Sequence, residues 1–76
     1  MQIIVHYYGK TVHAQDISNV SVADTLGLVI EFKQAKARDY FLEKFQKAEI
    51  PIQAIGLKQL SIESTGFTAF EDLTSL

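Results

Sequence analysis

From Gln2 to Ile17 the chain reads QIIVHYYGKTVHAQDI, two runs in which apolar and polar residues alternate on either side of Gly9. Alternation with a period of two marks a strand with one face in a core, and both runs are rich in β-branched and aromatic residues. A β-hairpin is expected, with Gly9-Lys10 as a two-residue loop that carries glycine in its first central position. That loop sets a register in which Tyr8 faces Thr11, Tyr7 faces Val12 and His6 faces His13. Val5 then faces Ala14 and Ile4 faces Gln15. Ile3, Val5, Tyr7, Val12 and Ala14 form the core side, and Ile4, His6, Tyr8, Thr11, His13 and Gln15 the more polar side.

SNVSVADTLG, which follows, mixes turn formers with Val20 and Val22, and predicts a strand continuation or bend with a turn around Ala23-Asp24-Thr25. LGLVIEF (26–32) is short and almost continuously apolar, the pattern of a central strand partly covered on both faces. A helix is predicted from Lys33 to Glu49, where strong helix formers dominate and Pro51 marks the stop. Gly56 then breaks the chain before a strand over Lys58–Ser64, with Leu60 and Ile62 on one face. In the tail TGFTAFEDLTSL, Phe67, Phe70 and Leu73 have helical spacing, while STGFTAF also suits a strand. The order β-β-β-α-β predicts an α+β fold: a small, mostly antiparallel sheet with one amphipathic helix packed on one face. Seventy-six residues suffice for a single domain, 1–76.

At 100° per residue the helix divides into stripes. Ala37, Phe41, Phe45 and Ala48, with Leu42 beside them, are the docking face. Lys33, Lys36, Tyr40, Lys44 and Lys47 stack as a basic column around one aromatic ring, next to Asp39, Glu43 and Gln46. The column is read first as a solvated face, with Asp39 paired to Lys36 and Glu43 to Lys47. Its functional alternative is a surface for single-stranded nucleic acid, with phosphates on the lysines and a base on Tyr40.

Charge argues against the second reading. Seven Lys and Arg against nine Asp and Glu give a formal net charge of −2, whereas non-specific nucleic-acid binders are commonly basic. Six of the seven basic residues nevertheless lie between Lys33 and Lys58. The chain has no cysteine, which removes disulfides, thiolate metal sites and thiol nucleophiles. It has no signal-peptide pattern at Met1–Lys10 and no apolar run long enough for a membrane helix, so a cytoplasmic protein without membrane partners is expected.

LGLVIEF followed by a helix loosely resembles the third strand and second helix of RNA-recognition-motif domains, through Gly27, Val29 and Phe32. Leu28 and Ile30 stand where that motif places aromatics, and a helix between the first two strands is missing. The resemblance covers about a quarter of the chain and stops short of the family.

Little else suggests chemistry. His6 opposite His13 would bring two imidazoles together, yet zinc sites take three or four protein ligands or an open water position. Glu31, a carboxylate inside an apolar strand, is expected to point outward or to pair with a helix lysine. The serines lack a nucleophile-elbow pattern, and the four glycines, being scattered, form no phosphate loop. No cofactor and no enzymatic activity are expected. Tyr7, Tyr8, Phe67 and Phe70 exceed the needs of one small core, and aromatics are enriched at interfaces. The expected function is a non-enzymatic interaction module for a protein partner or a second copy of itself, a homodimer formed through an edge strand or the aromatic tail.

Overall fold

A turn that only left-handed backbone can close begins the fold. Tyr8 and Gly9 both have positive φ, 48° and 76°, which makes them the central pair of a type I′ hairpin turn between β1 (Ile3–Tyr7) and β2 (Lys10–Ala14). The loop is therefore Tyr8-Gly9, one residue earlier than the expected Gly9-Lys10. The register moves by two, pairing Tyr7 with Lys10, His6 with Thr11, Val5 with Val12, Ile4 with His13 and Ile3 with Ala14. A shift of two preserves the faces, so Ile3, Val5, Tyr7, Val12 and Ala14 are all buried as expected. It also parts the two histidines: His6 and His13 are not opposite one another.

The computed structural model describes residues 1–23, 27–63 and 67–72, with side chains for 1–22 and 27–63. After the hairpin, Asp16 takes a left-handed conformation (φ 61°) and turns the chain into β3 (Ile17–Ala23), which pairs with β4 (Gly27–Phe32). The expected turn at Asp24 and Thr25 lies outside the described residues. The helix α1 spans Ala35–Lys47, and a second hairpin follows, made of β5 (Ile52–Ile55) and β6 (Gln59–Ile62). The tail forms β7 (Phe67–Asp72), antiparallel to β1. Its helical spacing yields to the hydrogen-bonding edge that β1 offers; Leu73 lies outside the described residues.

The α+β class, the antiparallel pairing and the single packed helix are as the pattern predicts. The strands, however, form two sheets, of three strands in the order β2-β1-β7 and four in the order β3-β4-β6-β5. The chain changes sheets at Asp16, and a knot of backbone bonds holds that corner. The Met1 ammonium donates to the Ile17 carbonyl at 3.1 Å, the Ile17 N–H to the Met1 carbonyl at 3.3 Å, and the Lys33 N–H to the Asp16 carbonyl at 2.8 Å. β5 was not anticipated, because IQAI is short and its two flanking breakers, Pro51 and Gly56, read as loop. β4 is an inner strand, as LGLVIEF predicts.

The inner faces of both sheets and one face of α1 enclose a single core. Leu28, Ile30, Phe32, Leu60 and Ile62 from the larger sheet share one cluster with Ile3, Val5 and Tyr7 from the smaller one and with Phe41 and Phe45 of the helix. Phe32 and Phe41 stack with centroids 5.5 Å apart, and Phe45 is wholly enclosed. Ala37, Leu42 and Ala48 pack at the margin, so the predicted docking face is the docked face. Two buried phenylalanines contribute about 1.5–3 kcal/mol each by area.

The helix ends in a Schellman motif. The Ile50 N–H donates to the Phe45 carbonyl at 3.1 Å and the Glu49 N–H to the Gln46 carbonyl at 3.0 Å, while Glu49 sits at φ 61°. Ile50 and Phe45, which the motif brings together, are both core residues, and Pro51 prevents resumption of the helix. Glutamate occupies the position that favours glycine, where an L residue bears about 1–2 kcal/mol of strain. Its ion pair to Lys10, at 3.8 Å, is largely solvent-exposed. Glu49→Gly should therefore stabilise the fold by about 0.5–1 kcal/mol, after the glycine's added unfolded-state entropy, and urea titration measures it. A loss of stability would contradict the strain.

Candidate functional site

Helical spacing places the basic column on the solvent side of α1, but its members are not equivalent. Lys33 precedes the helix and lines a shallow depression with Asp16, Gln34 and Ala37. Lys36 is exposed. Tyr40 is 63% exposed and meets the buried Phe41 ring edge-on, at 4.9 Å between centroids. Lys44 lies against the body of the protein: its Nζ donates to the His13 carbonyl at 3.2 Å and sits 5.5 Å from the Phe41 centroid. The Lys47 ammonium pairs with Glu43 at 3.1 Å, as the i, i+4 spacing predicts.

Tyr40, Glu43, Lys44 and Lys47 line a second shallow depression, so a carboxylate sits inside the basic surface. The expected pairing of Asp39 with Lys36 gives way to another. Asp39 accepts from Arg38 Nε at 2.8 Å, while Arg38 Nη1 reaches the Gly56 carbonyl at 3.2 Å and ties the helix to the β5–β6 turn. The guanidinium serves both acceptors through separate N–H groups. Of the five column residues, Lys33, Lys36 and Tyr40 face solvent and form no ion pair among the described residues, while Lys44 and Lys47 are engaged.

The two histidines share a face of the smaller sheet as diagonal neighbours, with His6 opposite Thr11 and His13 opposite Ile4. His13 Nε2 lies 3.3 Å from Gln2 Oε1. Among the described residues no three His, Cys, Asp or Glu side chains group as a metal site. Glu31 takes its partners from neighbouring strands rather than from a helix lysine. Its carboxylate accepts from Gln59 Nε2 at 3.1 Å and from Ser18 Oγ at 3.4 Å. A polar ladder thus crosses β3, β4 and β6 on the outer face.

Sheet edges distinguish themselves more sharply than side-chain clusters. Among the described residues the two sheets leave four edges: β2, β7, β3 and β5. Lys10 lies on β2, and Lys44 occupies the His13 carbonyl there. β7 carries Glu71 and Asp72. β5 has four residues, follows Pro51, and ends where Arg38 holds Gly56. Charges, proline and short length are the ordinary protections of an edge strand. β3, ISNVSVA, is the longest of the described strands at seven residues and contains no charge and no proline. Its one irregularity is a bulge between Ile17 and Asn19, so the run Asn19–Ala23 is regular. Val22 on it is 61% exposed. The sequence signal for this edge was present in the uncharged alternation of SNVSVA, but nothing local reveals which strand ends a sheet.

No helix among the described residues is long and apolar enough to cross a membrane. The differing duties of the lysines can be measured. Lys44→Ala should cost about 0.5–1 kcal/mol in urea unfolding, discounted for its exposure, whereas Lys36→Ala should stay within about 0.5 kcal/mol of the parent. Equal effects would show that Lys44 has no structural share. Comparison with protein-family models, curated proteins and solved structures finds no match to this chain.

Proposed function

We propose that this chain is a non-enzymatic interaction module that takes up an extended partner strand along the free edge of β3. The observation that carries this is the contrast among the four edges, three protected and one, the longest, left regular and uncharged from Asn19 to Ala23. An added strand would satisfy the outward N–H and C=O groups of β3 with main-chain bonds. Each such bond contributes about 0.5–1.5 kcal/mol net, so a short ladder gives weak, reversible association once the entropy of binding is counted. The aromatic tail, the other contact foreseen for this module, is taken up along its backbone by β1.

A peptide with the sequence of β3, uncharged over the pairing residues and made soluble by flanking lysines, is a suitable probe. Its addition should slow amide exchange at residues 19–23 and leave the helix amides unchanged. Ser21→Lys with Val22→Lys should abolish that protection, and because both positions are exposed it should change stability by no more than about 1 kcal/mol. Protection that appears on α1, or that survives the two lysines, would remove β3 as the contact.

Single-stranded nucleic acid remains the second reading, favoured by the exposed ring of Tyr40 beside Lys36. With Lys44 and Lys47 engaged, the two lysines unpaired among the described residues imply a shallow salt dependence, a slope of about −1.4 in log K against log salt. Lys33→Glu with Lys36→Glu should eliminate oligonucleotide binding in low salt. Absence of binding by the parent chain under those conditions would dispose of this reading.

A further inference from the structure

Resting on the β3 edge as the contact, we infer that its partner is β3 of a second copy, antiparallel about a two-fold axis through Ser21. A strand pairing with its own copy brings together two edges of the same net charge, which a charged edge resists. From Ile17 to Ala23 there is no charged side chain, so the like-charge penalty is absent. The other three edges are disqualified by Lys10 on β2, Glu71 and Asp72 on β7, and the shortness of β5.

Pleating narrows the register. Residues paired across an antiparallel ladder must project to the same face, so the axis passes through a residue and partners differ from it by equal steps. An axis on Val20 would set Val22 against Ser18, the residue displaced by the bulge and already donating to Glu31. An axis on Ser21 sets Val20 against Val22 twice, once on each side of the axis, and Asn19 against Ala23. Val20 is half-buried against the core, whereas Val22 is 61% exposed at the end of the same face. The pairing therefore extends each core's apolar surface over the other copy's bare valine.

The symmetry also limits growth. A two-fold contact uses the β3 edge of both copies and joins two four-stranded sheets into one of eight, whose outer edges are the short β5 strands. The product is a closed dimer rather than a filament. A ladder this short buries less than the roughly 800 Å² per partner of a standard stable interface, so the dimer forms reversibly and at high protein concentration.

Ser21→Cys tests the register directly, because the parent chain has no cysteine to confuse the result. Under mild oxidation Ser21→Cys should form a covalent dimer several-fold faster than Asn19→Cys, and mixing Asn19→Cys with Ala23→Cys should restore cross-linking. Light scattering from micromolar to millimolar concentration should show a dimer for the parent and a monomer for Ser21→Lys with Val22→Lys. A parent that is monomeric at millimolar concentration overturns the inference. So does cross-linking at Asn19 alone that matches Ser21. If the parent stays monomeric while the β3 peptide still protects residues 19–23, the edge is a contact for a foreign strand and only the second copy is lost. If neither occurs, the edge reading falls as well.

Discussion

Two small antiparallel sheets each expose an apolar face, and neither is large enough to hide it alone. The structure depends on closing both faces at once, which is done by Phe41 and Phe45 on one side of α1. Phe45 has no solvent exposure, and Phe41 stacks on Phe32 of the inner strand β4. Small domains bury only about 60% of their unfolded surface, so losing this plug would uncover a large share of the available core. The Schellman turn at Glu49 belongs to the same device, because it fixes where Ile50 enters beside Phe45.

This constraint explains why the solvent side of the helix is less free than its composition suggests. Docking the phenylalanines brings Lys44 down to the His13 carbonyl and Arg38 to the Gly56 carbonyl, so two cations of the helix clamp the two hairpins. Lys47 answers Glu43. A row that looks like a binding surface is, in part, fastening. The edge of β3 has the opposite character: its run Asn19–Ala23 lacks the charges, the proline and the shortness that guard the other edges.

Much of the fold was legible because period and burial are local properties. The helix, its docked face, the strand LGLVIEF, the paired Leu60 and Ile62, and the inward set of the first hairpin all follow from side-chain spacing. The hairpin register did not, because it turned on whether Tyr8 would accept a left-handed conformation, and tyrosine seldom advertises that. The division into two sheets was hidden for a related reason: Asp16 bends the chain at a position that reads as strand end. β5 and the final strand depend on which edges other elements leave open, and that is decided by the whole molecule. Among the candidate residues, spacing found the lysine column and Tyr40, but not which lysines would be spent on the hairpins. The pairing of His6 with His13 fell with the register.

If one core unites the two sheets and the helix, they must open together. Native-state hydrogen exchange measures this directly, by comparing amides around Phe41–Phe45 with those of the inner strands β1 and β4. The account predicts the same opening free energy in all three, equal to that of global unfolding. Helix amides that exchange through a much cheaper opening, with both sheets still protected, would contradict it.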